Sequence, residues 1–235
     1  MPSCFIPFDF ADPQPESRTK QQQAASDRRS DRITPGKVRH LLLPKLKAKQ
    51  ASSASPVQLV GLVFTRPELE FFKSHLRPNF KYWNHRSADH VDFFCMGFTL
   101  NAPRDFSHVS FLRAVDHFER ETQWRYTGEN DLILLNAVLD PETKRVTLDY
   151  SSAVVLPLDE AVRKKAIKSA PEFFERIIAY ASRYRGDDPT WGFSDALVKP
   201  LAGSALKRFL LSLLPKFIRT ETEHALFFAI RDIGK

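Results

Sequence analysis

The sequence predicts one mixed α/β domain, with a sheet of about four strands and a helical C-terminal extension at about residues 190–235. Short runs rich in β-branched and aromatic residues alternate with segments whose apolar residues recur at helical spacing. Two segments also carry the Ser/Thr-x-x-Glu signature of a helix start. With 43% hydrophobic residues and 20 Phe in 235 residues, the chain can build a core without disulfides or metals.

Residues 1–55 are predicted to be a disordered basic tail and linker, and residues 56–235 to be the single domain. The first 35 residues are rich in Pro, Gln, Ser, Asp and Arg, so they bury too little apolar surface to offset the entropy lost on ordering. A short basic and apolar patch follows, interrupted by Pro44, and the Ala-Ser-Ser-Ala-Ser-Pro stretch at 51–56 is typical of a flexible linker.

The positive charge lies at the two ends of the chain. Residues 1–55 hold ten Lys/Arg and five Asp/Glu (+5), residues 56–198 hold 18 and 20 (−2), and residues 199–235 hold seven and three (+4). This distribution weighs against dedicated nucleic-acid recognition by the central fold, because such domains usually carry their basic excess themselves. The basic tails still permit weak, non-specific contact with nucleic acid or an anionic membrane.

The first half of the domain contains two strands and two helices in alternation. Val57 to Phe64 predicts a strand, and Thr65-Arg66-Pro67-Glu68 predicts a capping box that opens a helix ending before Pro78. The run Val91 to Leu100 is apolar on both faces, as expected of a central strand covered by helices. Ser107 is predicted to cap the next helix.

The second half predicts an antiparallel hairpin from Asp131–Leu139 and Arg145–Leu156, a short helix at 159–168, and a firm helix opened by the capping box Ser169–Glu172. The full order, β-α-β-α-β-β-α, makes the first two strands parallel. It resembles the thioredoxin-like fold in element order only. A dithiol redox role is excluded, because Thr65–Glu68 occupies the place where that chemistry needs C-x-x-C.

Cysteine use and hydropathy predict a cytoplasmic protein without disulfides, signal peptide or transmembrane segment. Cys4 and Cys95 are far apart, and Cys95 lies in an apolar run that favours a buried core thiol. Residues 204–219 are too short and too charged to span a bilayer, and they fit either a core helix or an interaction surface. No cofactor is expected, since the eight Gly form no phosphate-binding motif.

The densest polar cluster lies between Tyr82 and Asp92, just before the predicted central strand. One hypothesis is a metal-dependent hydrolase or nuclease-like enzyme that uses this cluster. Its candidate catalytic residues are His85, Arg86, His90 and Asp92. The structural alternative is that Arg86 pairs with Asp92 or Asp89 to neutralise a carboxylate that enters a buried strand.

A second candidate site lies where the first two strands end and the loop before the third strand begins, because ligands of open α/β sheets prefer that crevice. Its candidate binding residues are Arg66, Asn101, Trp124, Arg125 and Tyr126. Exposed aromatic and Arg side chains favour a protein-binding surface, although the Trp could equally cover the core. The leading hypothesis is a non-enzymatic interaction module that acts through a protein partner.

Overall fold

In the described part of the chain, four strands form one mixed sheet, with helices packed on both of its faces. The computed structural model describes residues 32–87, 90–100, 105–163, 167–184 and 189–190. The helices are α1 (Pro35–Ala51), α2 (Arg77–Ser87), α3 (His108–Glu121), α4 (Leu158–Arg163) and α5 (Ala170–Arg183). The strands are β1 (Val57–Phe64), β2 (Val91–Cys95), β3 (Asp131–Leu139) and β4 (Val146–Pro157).

The strand order in the sheet is β2-β1-β3-β4. β1 and β2 are parallel, with Leu59 opposite Val91, and β3 is antiparallel to both β1 and β4. The β3–β4 hairpin has the predicted extent, and its connection is held by the Asp140 carboxylate, which accepts from the amides of Glu142 and Thr143 at 2.8 and 3.1 Å. The predicted parallel pair and antiparallel hairpin are therefore confirmed.

The strand predicted at Val91 to Leu100 is shorter than expected, and among the described strands it lies at the edge of the sheet. β2 ends at Cys95, and the chain then turns at Gly97, whose φ of 82° lies in the left-handed region that favours glycine. Both faces of β2 are nonetheless covered, because Phe93 packs on one side of the sheet and Phe94 on the other. Apolar runs predict such burial, but they do not tell an edge strand from a central one.

The connection from β1 to β2 differs from its prediction at both ends. Thr65 donates its hydroxyl proton to the side-chain oxygen of Asn130 rather than capping Glu68, and helical structure begins at Glu70. The helix also continues past Pro78. A π-helical segment, Phe72–Leu76, shifts the hydrogen-bond register, so that Pro78 falls in the first turn of α2, where its missing N–H is tolerated.

Two hydrophobic clusters, one on each face of the sheet, make up the core. On the first face the indole of Trp83 from α2 stacks on Phe174 from α5, with ring centroids 4.2 Å apart and planes 10° apart. On the second face the ring of Phe64 packs against the rings of Phe118 from α3 and of Trp124. The distances between ring centroids are 5.2 and 4.6 Å. α1 and α3 cover this second face, which gives three layers of helix, sheet and helix.

The N-terminal helix α1 belongs to the folded domain. Thr34 caps it by accepting from the amide of Lys37, and Val38, Leu42 and Leu46 are at most 1% exposed. Pro44 lies on the exposed side, where water can replace the hydrogen bond that proline lacks. The prediction that residues 1–55 form a disordered tail is therefore wrong for 35–51.

The other helix predictions are largely confirmed. Ser107 caps α3 and Ser169 caps α5, each by accepting from the amide three residues on, at 3.3 Å. The short helix predicted at 159–168 is α4. Among the described residues, no helix combines the length and apolar character needed to cross a membrane. The predicted C-terminal extension and residues 1–31 lie outside the described residues.

Candidate functional site

The polar cluster predicted between Tyr82 and Asp92 is divided between a helix surface and a strand. His85 and Arg86 belong to α2 and are exposed. The Arg86 guanidinium donates to the Tyr82 hydroxyl at 2.9 Å and forms an ion pair with Glu175 of α5 at 3.2 Å. The predicted pairing of Arg86 with Asp92 is wrong, and Asp89 lies outside the described residues.

Asp92 is instead neutralised by the N-terminal helix. The Lys45 ammonium donates to both carboxylate oxygens at 2.9 Å. Burial raises the pKa of Asp92 above its ordinary value, although the Lys45 charge, its hydrogen bonds and the Gln58 amide all act in the opposite direction. Lys45 therefore lets a polar residue occupy a strand that is otherwise apolar.

The side chains proposed for a catalytic or metal site in this cluster do not lie together in the structure. α2, which carries His85, packs on the first face of the sheet, whereas the Asp92 side chain meets α1 on the second. His90 is exposed in the turn before β2. In the ranges that the structure describes, no three His, Cys, Asp or Glu side chains are close enough to hold a metal ion.

The crevice predicted at the end of β1 does bring its loops together. The Arg66 guanidinium donates to the Gly128 carbonyl at 3.1 Å, and the Tyr126 hydroxyl donates to the Glu129 carbonyl at 2.7 Å. Asn101 lies outside the described residues. These contacts use the polar groups of Arg66 and Tyr126 to fix the loop before β3.

Trp124 is buried, whereas Arg125 is exposed and bonds to the end of α3. Trp124 is only 5% exposed and packs between Phe64 and Phe118 in the core. One nitrogen of Arg125 donates to the Glu119 and Thr122 carbonyls at 2.9 and 3.2 Å, which caps the C-terminal end of α3. The burial of Trp124 contradicts the expectation of an exposed indole that anchors a partner.

A buried polar network joins the loops at this end of the sheet. Its local signal in the sequence is limited to the polar pair Asn130 and Asp131 at the start of β3. Asn130 donates to Asp159 through its backbone and side-chain nitrogens, both at 2.8 Å. The Asp131 carboxylate accepts from the amide and hydroxyl of Thr127 at 3.1 and 2.9 Å. Burial raises the pKa of Asp131 to about 6, although these two hydrogen bonds lower it. Each polar group has a partner inside the network, so its role is to hold the loops.

A groove of about 350 Å³ lies beside the outer edge of β2. Its walls come from β2, from α2 and from the segments around Ile33 and Thr99: Ile33, Phe80, Lys81, Asn84, Phe93, Phe94, Cys95, Phe98, Thr99 and Leu100. The walls are mostly apolar, and the few polar groups include the Lys81 ammonium and the Asn84 amide. This combination is typical of binding sites, and the volume is at the lower end of their range.

The backbone of β2 adds hydrogen-bonding groups to this edge. Among the described strands, β2 pairs with β1 alone. The Met96 amide donates to the Val63 carbonyl at 3.0 Å, so alternate residues of β2 point their N–H and C=O groups at β1. Phe93 is in the other set and directs one donor and one acceptor outward. The next outward acceptor, the Cys95 carbonyl, already accepts from the Phe98 amide at 3.3 Å.

The Cys95 side chain, which also lines the groove, is a core thiol, as predicted. It is 5% exposed, and burial raises the pKa of the thiol well above its ordinary value. The thiol is therefore protonated at neutral pH and is a poor nucleophile. The groove thus offers shape and hydrogen bonds rather than an activated group.

The chain matches no protein-family model, no curated protein and no solved structure.

Proposed function

We propose that the chain is a non-enzymatic protein-interaction module of thioredoxin-like topology, which binds an extended segment of a partner protein along β2. The strand order β2-β1-β3-β4, with β3 antiparallel to its neighbours, supports the topology. The sequence Thr65–Glu68 stands where redox proteins of that topology carry their dithiol, which favours binding over redox chemistry.

The observation that carries the proposal is the outward-facing backbone of Phe93 beside the groove. An extended peptide supplies an N–H and a C=O at the spacing of a strand, so it can satisfy both groups of Phe93 at once. Alternate side chains of that peptide would then enter the groove between Phe80 and Leu100. The Leu100 side chain is 42% exposed and is therefore accessible to the peptide. Backbone pairing supplies affinity in this mode of recognition, and the groove supplies specificity.

The proposal is tested by selecting peptides from a displayed library of random 12-residue segments against the full chain. Selected peptides are then measured by fluorescence anisotropy against Asn84→Trp, which places an indole in the groove. The matched control is His85→Trp, which adds the same side chain at the adjacent, exposed position of α2. We expect Asn84→Trp to weaken binding at least tenfold, about 1.4 kcal/mol, and His85→Trp to change it less than twofold.

Amide hydrogen exchange gives a second, independent readout. Binding by strand addition should slow exchange of the Phe93 amide, since that N–H gains a partner. The proposal is wrong if no peptide is selected, if selected peptides bind the Asn84→Trp protein as tightly as the parent, or if the Phe93 amide is not protected. Melting curves of both variants establish that each one is folded.

A further inference from the structure

The positive charge near the N-terminus lies on the folded domain rather than on a tail. Residues 32–55 hold six Lys/Arg and no Asp/Glu, and five of the six belong to α1. Arg32 forms an ion pair with Asp105 at 2.6 Å, and Lys45 forms one with Asp92 at 2.9 Å. A basic excess on a packed helix is an electrostatic feature of the fold itself.

Part of this charge borders an open cleft of about 530 Å³ between α1 and the start of β4. The cationic or titratable side chains along it are Arg39, His40, Lys144 and Arg145. Leu43 and Val146 contribute an apolar floor, and none of the described residues that line the cleft is Asp or Glu. We call this surface the basic cleft. It lies on the second face of the sheet and shares no lining residue with the groove beside β2.

In the described part of the chain, the cations of the basic cleft outnumber the carboxylates beside them. Within the described ranges, Arg39, Lys144 and Arg145 form no ion pair. The Arg39 guanidinium interacts with the Tyr150 hydroxyl, while its buried Nε has no hydrogen-bond partner. Asp140 interacts electrostatically with Lys144, and its carboxylate also accepts from the amides of its own turn. A cluster in which cations outnumber carboxylates favours an anionic ligand.

We infer that the basic cleft binds an acidic segment of a second protein. Carboxylates of that segment would pair with the rim cations, and an apolar side chain between them would cover Leu43 and Val146. Charge-assisted bonds from Arg39 and Arg145 would fix the carboxylates. Single-stranded nucleic acid is disfavoured as the ligand because it stacks its bases on aromatic side chains, and none of the described residues that line the cleft is aromatic.

The test uses the full chain and a fluorescein-labelled peptide of alternating Glu and Leu, with a Gln–Leu peptide of equal length as the uncharged probe. Lys144→Glu/Arg145→Glu reverses two exposed charges of the cleft. The matched control, Lys168→Glu/Arg183→Glu, makes the same charge change at exposed positions beside and within α5, on the first face of the sheet. We expect the cleft variant to weaken binding of the Glu–Leu peptide at least tenfold and the control less than twofold.

Several results would overturn the inference: no binding of the Glu–Leu peptide, equal binding of the Gln–Leu peptide, or equal loss in both double variants. Tighter binding of a dT20 oligonucleotide, or of phosphatidylserine vesicles, through Lys144 and Arg145 would assign the cleft to another ligand class. Asn84→Trp, which fills the groove beside β2, should leave Glu–Leu binding unchanged. The two surfaces can therefore fail separately.

Discussion

Removing one buried side chain of α1 tests whether that helix is part of the core. Leu42 is 1% exposed and packs in the cluster on the second face of the sheet. Leu42→Ala removes three carbons from this site, about 2.4 kcal/mol at roughly 0.8 kcal/mol per buried methylene. Part of the cavity should persist because β3 and β4 form a rigid wall beneath α1. We therefore expect a total loss of about 3–4 kcal/mol, within the range of buried Leu→Ala changes.

The assay is urea denaturation followed by circular dichroism, with Lys47→Ala as the control. Lys47 is exposed on the same helix, and replacing it should change the free energy of unfolding by less than about 0.5 kcal/mol. Loss of 3–4 kcal/mol would be a large fraction of the stability of an ordinary domain, about 5–15 kcal/mol. If Leu42→Ala proves no more destabilising than Lys47→Ala, α1 does not pack as described.

Three further outcomes follow from buried groups. Trp124→Ala should destabilise the protein by about 3–5 kcal/mol, because the indole fills the core beside Phe64; a melting temperature equal to that of the parent would contradict this. Asp131 has a pKa raised to about 6 from 3.8, so the stability it contributes is full below about pH 4 and is lost as the pH rises through 6. The measurement is the difference in the free energy of unfolding between the parent and Asp131→Asn. This difference should fall by up to about 3 kcal/mol between pH 4 and pH 7.5. A difference that does not depend on pH would show that Asp131 does not titrate as expected. Lys45→Met should raise the pKa of Asp92 further, since it removes the charge and hydrogen bonds that lower it; an NMR titration of the carboxyl carbon measures the shift, and an unchanged pKa would mean that Lys45 is not the partner.

Features specified by neighbouring residues were predictable from the sequence. Ser107 and Ser169 each cap a helix by accepting a hydrogen bond from the backbone amide three residues further along the chain. The β3–β4 hairpin was visible because two apolar runs flank a short connector that begins with Asp140 and Pro141. In both cases the interacting groups lie within one turn of chain, so the local pattern contains the whole interaction.

Features that depend on distant contacts were missed. Lys45 and Asp92 are 47 residues apart, and nothing near Asp92 identifies its partner. The sequence of α1 predicts part of a disordered tail because Pro44 and its alternating lysines interrupt an apolar stripe only three residues long, which is stable only against a sheet. The position of β2 at the edge of the described strands was not predictable for the same reason, because the order of strands depends on pairing rather than on the composition of any one strand.

The place of α1 in the chain has a consequence for how the protein assembles during synthesis. α1 is the first described helix to leave the ribosome, yet it packs against β3 and β4, and β4 begins only at Val146. At roughly 5–20 residues per second, translation of the intervening chain of about 100 residues takes on the order of ten seconds. Until β3 and β4 are made, the apolar stripe of α1 lacks the hairpin that covers it in the folded domain. We expect the five Lys and Arg residues of α1, of which Arg39 also borders the basic cleft, to keep the segment charged during that time and so to oppose aggregation.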